Sequence, residues 1–137
     1  MHEMMVAMLV WIGVHTDYRT DLELPNLVMT TPHNLCARYG IAQKSRCDGQ
    51  RLRGFYDKDL TIYLGTDFDA ARPEHQSWLL HELVHYVQWA NGEDTTTCLG
   101  HLELEAYDLQ DAWRVDRGLA PSLAEFNRIF LAASCDA

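Results

Sequence analysis

The sequence predicts a small α+β domain. An uncharged apolar run opens the chain, a β-rich hairpin pattern lies over 51–64, and apolar residues recur at helical spacing over 102–113. The length of 137 residues suits one domain over 1–137, and 47% hydrophobic residues are enough to bury a core. We therefore expect an N-terminal helix, a small antiparallel sheet or hairpin, two long helices and a C-terminal helix.

The N-terminal helix is predicted over Glu3 to Val14. Met4 to Val14 is a run of eleven residues without charge, and a signal peptide would contain a similar stretch. No lysine or arginine precedes this run and no small-residue cleavage pattern follows it, so we interpret it as a helix packed on the core. A signal anchor is the alternative, although no apolar run reaches the roughly 18 residues of a membrane span.

The strands are predicted from β-forming residues bounded by turns. Asn26 to Thr30 is expected to be extended, and residues 36–50 to be a loop. Arg51 to Tyr56 and Leu60 to Leu64 flank the turn at 57–59, so they predict an antiparallel hairpin.

Two long helices follow the hairpin. Pro73 suits a first helical position, and the first of the two helices is predicted from about Glu74 to Ala90, with Gly92 as its stop. The second is predicted from about Gly100 to Arg117, with an apolar stripe at helical spacing that consists of Leu102, Ala106, Leu109 and Trp113.

A shorter helix is predicted at the C-terminus. Ser122 and Glu125 have the spacing of a capping box, in which each side chain bonds the other residue's backbone N–H. The helix is expected to extend to about Ala133.

The charge balance excludes two classes of partner. Eleven basic and 20 acidic residues give a net charge of −9. A chain this acidic is repelled by phosphate backbones and by anionic lipid surfaces. We therefore expect no nucleic-acid partner, and because no apolar run is long enough we expect no membrane span. The sequence does not predict an oligomeric state.

The four cysteines leave two interpretations open. They permit the disulfides Cys36–Cys47 and Cys98–Cys135, and the alternative is four buried thiols in a cytosolic protein. No C-x-x-C pair supports a zinc ribbon or a redox motif. The even count favours a periplasmic or secreted location over a cytoplasmic one, whereas the missing leader argues the other way.

The first long helix carries three ionisable residues in an otherwise apolar stretch: His81, Glu82 and His85. Burying them costs several kcal/mol unless something compensates, and a metal ion would do so. His81 and His85 differ by about 40° around the helix and share one face, so both can reach one Zn²⁺. Glu82 points about 100° away, where it can reach a water bound to that ion. Two core histidines bonded to backbone are the alternative.

The pattern is H-E-x-x-H, the signature of zincin metalloproteases. A catalytic site needs a third protein ligand and one open position. Gln88 and Asn91 stand where metzincins have Gly and His, so the third ligand is expected from the second long helix. Helix geometry leaves Glu103, Glu105 and His101 open as that ligand.

The chain resembles minimal gluzincin-type zinc peptidases, and more closely small, uncharacterised bacterial zincin-like proteins. The resemblance covers roughly residues 50–115, and its specific motifs are H-E-L-V-H-Y-x-Q at 81–88 and C-x4-E-x-x-A-Y-x-x-Q-x-x-W at 98–113. It implies a zincin-like fold with Glu103 as the third ligand, in the pattern E-x-x-A with Ala106. Tyr107 stands where many such enzymes have an orienting Asp, so either another group orients the histidine or the Tyr107 hydroxyl takes that role.

The resemblance implies a zinc-dependent metallopeptidase acting on a peptide or protein substrate. Glu82 is expected to be the general base that takes a proton from the zinc-bound water. Leu60 to Leu64 is expected to be either the edge strand that pairs with an extended peptide or an ordinary sheet strand. Candidate stabilisers of the oxyanion are Tyr86, Tyr107 and His101, and Trp78, Trp89 and Trp113 are expected to line the core or the cleft.

Two non-enzymatic alternatives stay open. The first is a binding or assembly module of zincin fold with a structural or vestigial zinc, motivated by the small size and by Tyr107. The second is a metal-free structural domain, for which chelators would leave the melting temperature unchanged.

Overall fold

A computed structural model describes residues 1–31, 33–34, 54–57, 60–93 and 96–135, and of residues 54–57 it describes the backbone. These residues confirm the α+β class. Their elements are, in chain order, α1 (His2–His15), β1 (Asn26–Thr30), β2 (Gly54–Asp57), β3 (Thr61–Gly65), α2 (Pro73–Ala90), α3 (Leu99–Asp116) and α4 (Glu125–Ala133).

Helix α1 lies on the core, as its sequence predicts. Its buried residues follow the i, i+3, i+4, i+7 spacing of one helix face, and they pack against α2: Met5, Met8, Leu9 and Ile12. Within the described part of the chain, every helix is too short or too polar to span a bilayer.

The sheet is mixed, so the expectation of an antiparallel sheet is wrong for one of its two strand pairs. Strands β2 and β3 form the predicted antiparallel hairpin, with Tyr56 opposite Ile62. Strand β1 pairs with β3 in parallel, with Val28 opposite Tyr63. The long connection from β1 to β3 returns the chain in the same direction, which a tight turn cannot do.

Strand β3 is the central strand of the order β1-β3-β2. All five of its residues, Thr61–Gly65, are buried. Its backbone bonds β1 on one side and β2 on the other, so it has no edge for an extended peptide. The expected peptide-binding edge at Leu60–Leu64 is therefore wrong, and the alternative of an ordinary sheet strand is confirmed.

Helices α2 and α3 form the main packing interface. Helix α2 is buried almost all round, and the predicted stop at Gly92 is confirmed by its left-handed φ of +78°. On α3, Leu102, Ala106 and Trp113 of the predicted stripe are buried and Leu109 packs against the core. Since Ala106 has no exposed surface, its small side chain sits within this packing.

The C-terminal part differs from the predicted capping box. Helix α4 is confirmed, but its N-cap is Ala124 and no side chain caps it. The backbone N–H and the hydroxyl of Ser122 instead donate to the Asp111 carboxylate at 2.7 and 2.8 Å. Because Asp111 takes both donors, Ser122 is bound to α3 and does not cap α4.

One of the two expected cysteine pairs lies within the described residues. The sulfur atoms of Cys98 and Cys135 are at bonding distance, with Cα atoms 5.9 Å apart. The pair joins the start of α3 to the end of α4, where a Cβ on Gly100 would lie 2.5 Å from the Leu131 carbonyl oxygen. Cys36 and Cys47 lie outside the described residues.

Candidate metal centre

Helix α2 brings two histidines of the H-E-x-x-H motif together. The Nε2 atoms of His81 and His85 lie 3.2 Å apart, and the rings meet edge to face with centroids 4.9 Å apart. His81 is buried and His85 is half-buried, because nearly every face of α2 is covered by other elements. The predicted one-turn spacing therefore places both ring nitrogens at one point.

Helix α3 supplies Glu103 to the same point. Its Oε1 lies 3.4 Å from Nε2 of His81 and contacts Nε2 of His85. The three candidate ligand atoms all lie within 4.8 Å of one another. Of the three alternatives left open by helix geometry, the structure places Glu103 against both histidines. His101 is exposed, and Glu105 forms hydrogen bonds with other residues.

A buried glutamine determines which nitrogen of the neutral His85 ring carries the hydrogen. Gln88 Nε2 donates to the carbonyl oxygen of Leu102 at 2.9 Å, which can only accept, so the amide nitrogen faces Leu102. The amide oxygen then lies 2.8 Å from Nδ1 of His85. Since this oxygen also only accepts, Nδ1 carries the hydrogen and the lone pair of the neutral ring is on Nε2.

A second glutamine fixes the His81 ring in the same way. Ser77 Oγ donates its one hydrogen to the carbonyl oxygen of Glu74 at 2.6 Å, so it accepts from the amide nitrogen of Gln110 at 3.3 Å. The amide oxygen of Gln110 therefore faces Nδ1 of His81, at 3.0 Å. The lone pair of His81 is again on Nε2, toward Glu103.

Three electron-pair donors thus converge on one point. Both Nδ1 hydrogens are committed to glutamines, and in the neutral rings both Nε2 lone pairs face the Glu103 carboxylate. Such an arrangement is stable only with a positive charge between the three atoms. Two imidazole nitrogens and one carboxylate oxygen are a donor set that fits Zn²⁺, so the residues present fit the expected metal.

The surroundings of His85 and Glu103 shift the pKa of both residues. Burial lowers the pKa of the His85 imidazole, but the hydrogen bond with Glu103 and the charges of Glu82 and Glu103 outweigh it and raise the pKa to about 9. Burial raises the pKa of the Glu103 carboxyl, and the hydrogen bonds and charges of both histidines outweigh burial and hold it far below its ordinary range. Both shifts favour positive charge at the centre.

Glu82 lies beside the cluster without joining it. Its side chain is buried on α2, and its negative charge raises the pKa of His85. The three-atom cluster is His81, His85 and Glu103, as the predicted 100° offset of Glu82 requires.

The candidate oxyanion stabilisers and the tryptophans differ in their contacts and burial. The Tyr86 hydroxyl donates to the carbonyl oxygen of Glu23 at 2.5 Å, so it is committed to backbone. The Tyr107 ring packs on His81, with centroids 4.4 Å apart. His101 is exposed. Of the three tryptophans, Trp113 is in the core, and Trp78 and Trp89 are half-buried.

Sequence reasoning missed the roles of Gln88 and Gln110. Both residues occur in the quoted motifs, and the spacing carried a signal for each. Gln88 is three residues after His85, one turn along the same face. Gln110 is seven residues after Glu103, which returns it to the same side of α3.

The chain belongs to the family DUF6647, described as a domain of unknown function, whose family model matches residues 1–137. Comparisons with curated proteins and with solved structures gave no match.

Proposed function

We propose that this protein is a zinc-dependent metallopeptidase that hydrolyses peptide bonds. The observation that carries the proposal is the convergence of His81, His85 and Glu103, with both Nδ1 hydrogens held by glutamines. The glutamines leave both Nε2 atoms available as ligands, which is the condition for metal binding by neutral imidazole.

The number of donors favours a catalytic over a structural zinc. Structural sites are closed by four protein ligands, whereas catalytic sites have three and one open position. The cluster found among the described residues has three members. Their side chains keep 10, 15 and 30% of their surface exposed, in the order His81, His85 and Glu103. This exposure supports access for water and substrate.

The residues of the chain have separate roles in the proposed reaction. Zinc in such a site makes water a better acid and polarises a substrate carbonyl. Glu82, which is buried and whose charge acts on His85, is the base that takes a proton from the attacking water and passes it to the leaving amine. His81, His85 and Glu103 hold the ion, and Gln88 and Gln110 keep the ring nitrogens directed at it.

The test is Glu82→Gln, compared with Glu74→Gln, the same change on the exposed first turn of α2. With a peptide library as substrate, we expect Glu82→Gln to lower hydrolysis at least about 100-fold while it binds zinc as wild type does. Glu74→Gln should keep full activity. Zinc-loaded wild type that cleaves nothing in broad libraries would overturn the peptidase proposal in favour of a binding module with a structural zinc.

We also propose a periplasmic or secreted location. A disulfide such as Cys98–Cys135 persists in an oxidising compartment and is rare in the cytosol. Alkylation of the protein in its native cells, before any lysis, tests this. We expect Cys98 and Cys135 to be protected until a reductant is added. Alkylation of either of these two thiols without a reductant would contradict the location.

A further inference from the structure

We propose that Glu105 and Tyr18 are positioning residues of the metal centre, acting on His85 through the Gln88 amide. The inference rests on the proposed metal site and adds two residues that contact neither the ion nor the substrate. It also gives Glu105, an alternative third ligand in the sequence, a different task.

The contacts form one continuous chain of hydrogen bonds. Tyr18 Oη donates to Glu105 Oε1 at 2.5 Å. Gln88 Nε2 donates to the same oxygen at 3.0 Å. Gln88 Oε1 accepts from Nδ1 of His85 at 2.8 Å. The hydroxyl group of Tyr18 is thus three hydrogen bonds from Nδ1 of His85, the ring nitrogen opposite the Nε2 that faces the proposed metal site.

Within this series of hydrogen bonds, the orientation of the Gln88 amide is fixed. Its side chain is 2% exposed, and its two amide hydrogens have one acceptor each, Leu102 O and Glu105 Oε1. If the amide turned over, its nitrogen would face the Nδ1 hydrogen of His85 and its oxygen would face two acceptors. Glu105 therefore adds to the cost of that turn and holds the tautomer of His85.

The negative charge of Glu105 adds a second effect. A carboxylate that accepts from the amide nitrogen polarises the amide, which strengthens its oxygen as an acceptor for His85 Nδ1–H. A stronger acceptor at Nδ1 makes the opposite nitrogen a better metal ligand. In this arrangement the amide of Gln88 passes on the influence that a carboxylate exerts directly when it bonds a ligand histidine.

Tyr18 is held firmly enough to position Glu105. Its backbone N–H donates to Thr16 Oγ1 at 3.2 Å, and that hydroxyl donates to Ile12 O in α1. The next residue, Arg19, exchanges two hydrogen bonds of 3.0 Å with the Asn91 side chain at the end of α2. The segment after α1 is therefore fixed to the helix that carries both histidines.

The hydroxyl of Tyr18 also remains a donor under ordinary conditions. Burial, the hydrogen bond to Glu105 and the charge of Glu105 raise the pKa of Tyr18 well above its ordinary value. One oxygen of Glu105 thus receives two donors of fixed direction.

The test measures zinc affinity by competition with a chromophoric chelator. The variants are Glu105→Leu, which removes the acceptor, Glu105→Gln, which keeps an acceptor oxygen, and Tyr18→Phe. Glu125→Leu on exposed α4 is the control for loss of a glutamate. We expect the Kd for zinc to rise about tenfold in Glu105→Leu, about threefold in Tyr18→Phe, and by less than about threefold in Glu105→Gln and the control.

Visible absorption of Co²⁺ in the site separates positioning from general stability. The absorption depends on ligand geometry, so it should change in Glu105→Leu and match wild type in Glu105→Gln and Glu125→Leu. Unfolding of the metal-free variants, measured alongside, shows whether stability accounts for a loss of affinity.

The outcomes distinguish this inference from the proposed function. Wild type that binds no zinc overturns both. Wild type that binds zinc, with Glu105→Leu of equal affinity and equal Co²⁺ absorption, overturns the positioning role alone. If Glu105→Leu does not fold, Tyr18→Phe decides, since it removes one hydroxyl; unchanged affinity in that variant overturns the proposal.

Discussion

The amide oxygen of Gln110 accepts a hydrogen bond from Nδ1 of His81 at 3.0 Å. In the gluzincin-type enzymes that the sequence resembles, the residue at the position of Tyr107 is commonly an Asp that orients a ligand histidine, and we propose that Gln110 takes that role here. Tyr107 instead packs its ring on His81. Gln110 lies seven residues after Glu103, so ligand and orienting residue share one side of α3. The departure at Tyr107 therefore leaves the histidine oriented.

Gln110→Leu tests this relationship. Leucine keeps much of the volume and removes the acceptor, so Nδ1 of His81 loses its partner and the tautomer is no longer held. We expect the Kd for zinc to rise about tenfold, measured by chelator competition. Gln76→Leu is the matched control, because Gln76 is a half-buried glutamine of α2 that bonds the Ala70 carbonyl, outside the cluster. Equal affinities in the two variants would contradict the assigned role.

Zinc should stabilise the fold, because the ligands come from α2 and α3 and converge only in the folded state. At a free zinc concentration 100 times the Kd, the gain is about 2.7 kcal/mol. For a domain of this size, that corresponds to a rise in Tm of about 10 °C. Differential scanning fluorimetry with zinc and with a chelator measures it. A Tm that is equal under the two conditions would support the metal-free structural domain.

The pH dependence of metal-free stability follows from His85. Its pKa is raised from 6.5 to about 9 in the folded protein. The folded state therefore binds the proton more tightly, so this contribution to stability is fully present below pH 6.5 and is lost as the pH rises to about 9. Urea unfolding of the metal-free protein between pH 6 and 9.5 tests the direction. Stability that rises across this window would contradict it.

Zinc affinity should show the opposite trend over the same window. A ligand nitrogen must lose its proton before it binds zinc, so zinc displaces the proton on His85. Below pH 9 the apparent Kd should fall about tenfold for each pH unit, and the curve should flatten above it. Calorimetry in two buffers of different ionisation enthalpy measures the released proton. Absence of proton release at pH 7.5 would contradict the ion pair of His85 with Glu103.

The disulfide should contribute to stability but not to metal binding. Its cysteines are 37 residues apart, and closing a loop of that size stabilises by about 3–4 kcal/mol in the chain-entropy model. Cys98→Ser combined with Cys135→Ser should lose about this much in urea unfolding. The variant should still bind zinc, since Glu103 is held by the α2–α3 packing. A loss of less than about 1 kcal/mol in the free energy of unfolding would contradict a stabilising role of the disulfide.

The sequence predicts those features that depend on neighbours along the chain. Helix α1 follows from an uncharged apolar run, α2 from its start at Pro73 and its stop at Gly92, and α3 from apolar residues at helical spacing. The hairpin of β2 and β3 follows from a short turn between β-forming runs. The meeting of His81 and His85 follows from one helical turn.

The sequence pattern does not predict features that depend on partners distant along the chain. The parallel pairing of β1 with β3 joins segments more than 30 residues apart, and no local residue specifies its direction. Ser122 has a capping pattern, but a carboxylate eleven residues earlier, Asp111, competes for its donors. Helix geometry left Glu103 and Glu105 equivalent, and contacts with distant residues separate them: Glu103 contacts the two histidines, whereas Glu105 bonds Tyr18 and Gln88.

The most direct measurement is the zinc content per chain of protein purified without added metal. The account predicts about one equivalent in wild type and in His101→Ala, whose side chain is exposed, and a marked loss in Glu103→Ala. Wild-type protein that holds no zinc and takes up none on reconstitution would contradict the metal centre and the hydrolase proposed from it.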